Sequence, residues 1–431
     1  MEVFSIAVLL FSFLLLLSLG TPVAWSIIIS SLFTLLVSVP FLPALTTISQ
    51  RMATGIDSFA LLAIPFFILS GELMNKGGVA HRLVAFAKAL VGFLPGGLAL
   101  INVISAMLMG SVAGSAMASA SAMGSILGPE MEKEGYSKGF GVAINITSAT
   151  TGLVIPPSNI LIVYSLASGG ASIAALFLAG YIPGLLTGLF LMAVAMIWAK
   201  KKNFKTGKRA PLKTVFSSFV RAFPSLMLLF VVIGGIVSGV FTATEASAIA
   251  VIYTLVLGFV YKEITFKTLP TILLKSSTTT AIVMFLIGAS MSMSWVLSYE
   301  NIPEMISSGI LSLSDNKIVI LLLINFTLLF VGIFMDMTPA VLIFTPIFLP
   351  IVTQLGIDPV HFGIIMILNL CIGLCTPPVG SVLFVGVGVA NTSIQKVIKP
   401  LIPLFLAMIV ALLLVTYIPA LSLWLPSIFD L

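Results

Sequence analysis

The sequence predicts an all-α polytopic membrane protein built from two inverted repeats, each with a re-entrant hairpin and a broken transmembrane helix. Three observations predict it. First, 59% of the 431 residues are apolar, 8% are charged and the mean hydropathy is +1.24; a water-soluble domain cannot expose that much hydrocarbon. Second, the chain resembles itself at a spacing of 221 residues. Third, a glycine followed by two adjacent prolines interrupts two otherwise apolar runs.

A spanning helix needs about 20 largely apolar residues, and such runs follow one another with short polar breaks and no soluble domain between them. The first, Val3 to Leu19, lacks a basic start and a small-residue cleavage site, so it is expected to be a retained span and not a signal peptide. Repeat one, residues 1–200, is expected to hold scaffold helices over 3–95, a hairpin over 97–128, a broken helix over 138–168 and a closing helix over 172–199. A linker, 201–215, leads to repeat two, 216–431: scaffold helices over 216–313, a hairpin over 317–353, a broken helix over 359–390 and a closing helix over 394–426.

The repeat rests on punctuation rather than on hydrophobicity. Pro129 pairs with Pro350, Gly135 with Gly356, Gly152 with Gly373, Pro156 with Pro377, Pro157 with Pro378, and Ser172-Ile173 with Ser393-Ile394, all 221 apart. Small gaps add Ile101-Asn102 with Ile324-Asn325, Gly110 with Gly332, and Ile182-Pro183 with Ile402-Pro403. The runs around each hairpin tip, about 15 residues each, are too short to cross alone and suit a pair that enters and leaves on one face. Each repeat then crosses an odd number of times, so the second is inverted.

Charge reports the same topology. With the N-terminus outside, all of the 20 Lys and Arg except Arg51 and Lys317 fall on the cytoplasmic side. The densest group is Lys200, Lys201, Lys202, Lys205, Lys208, Arg209 and Lys213, which anchors the central loop in the cytoplasm and leaves both termini periplasmic. Lys76, Arg82, Lys88, Lys133 and Lys138 surround the first hairpin, and Glu300, Glu304, Asp315 and Asp358 flank the second. Cys371 and Cys375, four apart on an apolar run, form neither a disulfide framework nor a zinc site and are expected to pack. His81 and His361 have no acidic or thiol cluster around them. Glu72 and Glu245 are expected at span ends rather than in a proton relay.

Chemistry is expected where the helices stop. In GLVIPPSN, Gly152 to Asn159, and GLCTPPVG, Gly373 to Gly380, proline removes a hydrogen bond and clashes with the preceding turn, freeing carbonyls. Inside a bilayer such groups persist only in protein or around a wet cavity, and they suit a small hard cation. The tips form the opposing wall: GSVAGSA offers Ser111, Gly114 and Ser115, and GIFMDMTP offers Gly332, Asp336 and Thr338. Asp336 is either an ion ligand or a helix cap. Ser119, Ser121 and Ser125 read as packing residues. The expected sodium ligands are Ser111, Gly114, Ser115, Gly152, Ile155, Pro156, Gly332, Asp336, Thr338, Gly373, Thr376 and Pro377.

A polar stripe without fixed charge runs through Asn145, Thr147 and Ser148 into the first break. Its substrate-binding candidates are Thr150, Thr151, Ser158, Asn159, Gly380 and Ser381. Half-helix N-termini favour anions, so a carboxylate substrate needs no buried arginine there. The chain has no G-x-x-x-x-G-K-[ST] loop and no catalytic arrangement; it reads as a non-enzyme whose energy comes from an ion gradient or a partner.

Over nearly its full length the sequence resembles the large membrane subunits of tripartite ATP-independent periplasmic (TRAP) transporters, members of an elevator-type ion-transporter superfamily. The motifs AIPFFILSGELMNKGG (Ala63 to Gly78), GSVAGSA, GLVIPPSN, GGIVSGVFTATEAS (Gly234 to Ser247) and GLCTPPVG stand in that family's order. The resemblance implies a bacterial inner-membrane protein that takes up an organic acid with sodium, two or more ions per substrate, as hairpins and broken helices move against a scaffold. It places one sodium at the first tip with the Gly152 to Pro156 break and another at the second tip with the Gly373 to Pro377 break. It implies two partners, a small four-helix membrane subunit and a periplasmic substrate-binding protein. Two departures stand out: Ser119 replaces an acidic residue common in the family, and Phe241-Thr242-Ala243-Thr244-Glu245 replaces FTPTE. The uncharged, hydroxyl-rich stripe leans toward a sugar acid such as sialic acid over a C4-dicarboxylate. A self-sufficient sodium- or proton-coupled carboxylate carrier, and a non-transporting scaffold or channel, are the alternatives at this level.

Overall fold

The computed structural model describes residues 2–202, 204, 209–313 and 316–431. Lys205, Lys208 and Asp315, read above as topology charges, lie outside the described residues. All regular structure among the described residues is helical, and eight helical stretches there are long and apolar enough to cross a membrane.

The N-terminal part comprises α1 (Glu2–Ser18), α2 (Val23–Leu35), α3 (Phe41–Gly55), a 3-10 turn (Phe59–Leu62) running into α4 (Ala63–Lys76), and α5 (Val79–Val91). The helix pair α6 (Gly97–Ala113) and α7 (Ala116–Lys133) follows, then α8 (Lys138–Thr151), α9 (Asn159–Ala167) and α10 (Ile173–Lys201). The second half has α11 (Leu212–Val237), α12 (Ala243–Val260), α13 (Leu269–Tyr299) and α14 (Ile302–Leu313). The pair α15 (Lys317–Phe334) and α16 (Met337–Gln354) comes next, then α17 (Pro359–Gly373), α18 (Ser381–Val389), α19 (Ile394–Tyr417) and α20 (Ala420–Ile428).

Local chemistry sets these ends. Ser115, Ser137 and Ser172 cap α7, α8 and α10 by accepting from the backbone N–H three residues on, and Asp358 caps α17 just ahead of Pro359. Beyond α7 and α16 the chain turns through Gly135 (φ 87°) and Gly356 (φ 69°), left-handed positions that a side chain disfavours.

The two helices that lead into the breaks form the centre. Every residue of α17 from His361 to Gly373 is buried, and so is α8 apart from Lys138 and Gly141. Outward, the helices show large apolar side chains to the surroundings: Phe11 is 71% exposed, and Phe216, Phe230 and Phe326 are each 70% exposed. Such a surface is stable against hydrocarbon and not against water. In lipid the helices gain little from hydrophobic burial, so close packing and internal hydrogen bonds hold them. Ser119 donates to the Ala106 carbonyl at 2.8 Å, tying α7 to α6. Asn325, Asn369 and Thr416 form a chain of 2.8 and 3.1 Å bonds across α15, α17 and α19. Glu300 is 8% exposed and accepts from Ser5 at 2.7 Å and Ser38 at 2.5 Å.

Three features differ from expectation. Helix α3, which the sequence did not mark separately, packs along α13, with Arg51 over the Trp295 ring at 5.0 Å. The last helix is two, α19 and α20, because Pro419 cannot continue the backbone ladder past Ile418. The helices α7, α15 and α16 have 18 residues each, longer than the half-length runs expected, and α7 runs to Lys133, past the expected end at 128; between α15 and α16 the chain turns at Met335 and Asp336.

Candidate functional site

The turn between α6 and α7 is built by Gly114 in the left-handed region (φ 59°), whose N–H returns to the Gly110 carbonyl at 2.9 Å. Its missing Cβ makes room for Asn159, whose Nδ2 would stand 2.8 Å from a side-chain carbon there. The first residue after one break therefore lies on one hairpin tip. The breaks themselves run between α8 and α9 and between α17 and α18, and each contains a cis Pro-Pro bond, Pro156-Pro157 and Pro377-Pro378. Glycines press break and hairpin together: Gly110 lies against Gly152, and Gly332 against Gly373. The Gly380 N–H donates to Ile333 at 3.1 Å, tying the second break to α15.

One cavity of about 110 Å³ receives all of these ends. The first tip contributes Gly114 and Ser115, the second Asp336 and Thr338, the breaks contribute Leu153 and Leu374, and the helices after them contribute Asn159 and Val382. Ile64 and Ile68 of α4 and Val283 of α13 close the remaining side. The N-termini of α7, α9, α16 and α18 all begin at this cavity, and α6, α8, α15 and α17 end beside it. Free N–H groups with positive dipole ends favour an anion, and free carbonyls favour a cation. Asp336 holds the N-cap position of α16 without a capping side-chain bond, remains open to the cavity and has Ser381 nearby.

A second cavity of about 620 Å³ adjoins the first, sharing Ile68, Gly114, Ser115, Met117 and Asn159. It opens past Ser121 and Ser125 of α7 toward Glu72, Lys76 and Lys275. Lys275 of α13 pairs with Glu72 of α4 at 2.8 Å. Ser119 is thus buried packing, whereas Ser121 and Ser125 line open space. Neither the pair nor the apolar wall formed by α4 and α13 is singled out by the sequence; opposite charges near two span ends are the only signal of the pair.

The other expected ligands sit behind the cavity wall. Ser111 and Thr376 return their hydroxyls to Leu108 and Ile372, and Thr150 and Thr151 return theirs to Thr147. Ile155 is buried beside Gly184, and the buried Ser158 hydroxyl has no hydrogen-bond partner. Cys371 and Cys375 are buried free thiols. Glu245 closes a capping box with Thr242 at the start of α12, which gives it a local structural role.

The family model of the tripartite ATP-independent periplasmic transporter, DctM component, matches residues 10–421. The chain belongs to the TRAP transporter large-subunit family. A Salmonella typhimurium protein named YgiK is 56% identical over 99% of this chain and 98% of its own length. The C4-dicarboxylate TRAP transporter large permease protein DctM of Pseudomonas aeruginosa is 41% identical over 86% and 87% of the two chains. Among solved structures the Alcanivorax borkumensis YdaH transporter superposes with a TM-score of 0.65 at 14% identity, over 91% of this chain and 90% of its own, which is a likeness of fold. This TRAP large subunit is thus a multi-pass membrane protein of a bacterial transporter family.

Proposed function

We propose that this TRAP large subunit imports an organic acid across the bacterial inner membrane with sodium, taking it from a periplasmic binding protein and working beside a small four-helix membrane subunit. The observation that carries the reading is the convergence of four helix N-termini and four C-termini on one cavity between two hairpin tips. N-terminal N–H groups suit the substrate carboxylate, and C-terminal carbonyls with Asp336 and Thr338 suit two sodium ions. The repeats are read as inverted, with both termini periplasmic and the pairs α6–α7 and α15–α16 entering from opposite faces. Their tips meeting in one cavity supports that reading. The hairpins and broken helices are read as the moving part, and α4 and α13 as scaffold. The larger cavity, opening toward the Lys-rich end, is the cytoplasmic exit.

Relatives of similar identity carry C4-dicarboxylate and sialic-acid names. Ser115, Asn159 and Thr338 offer hydroxyl and amide partners and the cavity has no cation of its own, which favours a sugar acid such as sialic acid. The test is uptake into liposomes holding this chain with its small-subunit partner, with and without an inward sodium gradient and the binding protein. Uptake that needs both supports the reading. Sodium-driven uptake without the binding protein replaces it with a self-sufficient carrier.

A further inference from the structure

We propose that a cleft at the basic end of the helix bundle holds the phosphate of one anionic phospholipid headgroup. The cleft encloses about 750 Å³ where the start of α5, the first turns of α11 and the segment after α12 meet. Its charged and titratable lining is Arg82, Arg221, His81 and Glu263, with the Tyr261 phenol beside them; Ser217 and Ser218 add hydroxyls.

Arg82 is held in place. Its guanidinium carbon lies 3.5 Å from the centre of the Tyr261 ring, and Nη1 donates to the Gly78 carbonyl at 2.8 Å. A guanidinium carries five N–H donors, so this fixation leaves most of them free. Arg221 is exposed and makes no ion pair among the described residues. Glu263 lies close to Gly78 as well, yet forms no ion pair with Arg82. Two guanidinium groups on one cleft match the fork geometry of a phosphate.

What selects a lipid over free phosphate is the neighbouring surface of α11. Leu212, Phe216 and Val220 are 84%, 70% and 51% exposed, and their spacing of four places them in one row along the helix. Thr214, Ser217 and Arg221 line the cleft from the adjacent row. A headgroup in the cleft therefore puts its acyl chains against Phe216 and Val220. The cleft lies at the end of the bundle that carries Lys213, Lys262 and Lys267, where an anionic leaflet is attracted. The inference rests on the membrane reading and not on sodium coupling or on the identity of the transported acid.

The test is native mass spectrometry of the full chain, taken from nanodiscs of phosphatidylglycerol and phosphatidylethanolamine into mild detergent. One phosphatidylglycerol molecule is expected to remain bound, and the Arg82→Gln/Arg221→Gln variant to hold it about tenfold more weakly. Glu263→Gln, which removes the opposing carboxylate, is expected to raise occupancy; Phe216→Ser is expected to lower it with both arginines intact. Inorganic phosphate at millimolar concentration is expected to leave the lipid in place. Retention by the double variant overturns the site, and displacement by inorganic phosphate overturns the lipid. If the double variant is not monodisperse, Glu263→Gln and Phe216→Ser decide: unchanged occupancy in both overturns the proposal.

Discussion

Gly152 meets Gly110 backbone to backbone: a Cβ on Gly152 would stand 2.8 Å from the Gly110 Cα, and one on Gly373 would stand 2.5 Å from the Gly332 carbonyl carbon. The same contact thus joins break to hairpin twice. Gly152→Ala and Gly373→Ala are expected to cost about 1–3 kcal/mol each through overpacking and to depress uptake. Gly234→Ala, on α11 with nothing within 4 Å, serves as control. Thermal unfolding in detergent reads the difference, and equal effects at all three positions would remove the special role of the glycine contacts.

Asp336 and Thr338 on one tip and Ser115 on the other are expected to set sodium affinity. Asp336→Asn removes a charge open to the cavity and is expected to raise the sodium concentration for half-maximal uptake about tenfold, the scale of a lost charge-assisted bond. Thr338→Ala and Ser115→Ala are expected to have smaller effects in the same direction. A sodium titration identical to that of the unaltered chain in all three would place the ions elsewhere.

The Glu72 and Lys275 pair spans α4 and α13 at the mouth of the larger cavity. The Lys275 side chain is 54% exposed and that of Glu72 14%, so solvent screens the pair and its coupling is expected to be about 0.5–1 kcal/mol. Lys275→Gln, which leaves a mostly buried carboxylate without its partner, is expected to destabilise more than Glu72→Gln, and the double variant to recover part of the loss. A double-mutant cycle in thermal unfolding measures it; strict additivity would mean no coupling.

The capping box of α12 separates a structural from a proton-carrying role for Glu245. Thr242→Ala is expected to cost about 1 kcal/mol of stability, with the sodium dependence of uptake unchanged. Glu245→Gln keeps an acceptor for the Thr242 N–H and is expected to transport normally between pH 6 and pH 8, a window chosen for assay. Abolished transport in that variant, with the helix still folded, would reinstate proton transfer.

Much of the fold was legible because the devices that end helices are local. Pro156, Pro157, Pro377 and Pro378 lack the N–H a helix needs, and Gly114, Gly135 and Gly356 tolerate the left-handed turn; α8 and α17 stop ahead of the proline pairs, and α6 stops at Gly114. Helix α3 was not legible as a separate element, since its apolar face is defined by α13. The site was legible as a set of positions and not as a set of pointing side chains: Thr150 and Ser111 carry the right hydroxyls but spend them on their own helices. Ile64, Ile68 and Val283 wall the cavity with side chains indistinguishable from any others in a span.

Composition and the spacing of Gly and Pro by themselves determined a helical membrane chain with two matched pairs of turns and breaks, because burial in lipid and backbone hydrogen bonding constrain every residue independently of its distant neighbours. Only the tertiary structure decided that Asn159 lies on the tip at Gly114, that Asp336 shares a cavity with Ser115, and that Lys275 reaches Glu72. Those contacts join residues tens to hundreds of positions apart. They depend on how helices pack, which in an apolar solvent follows from shape and small residues and leaves little mark on the linear pattern.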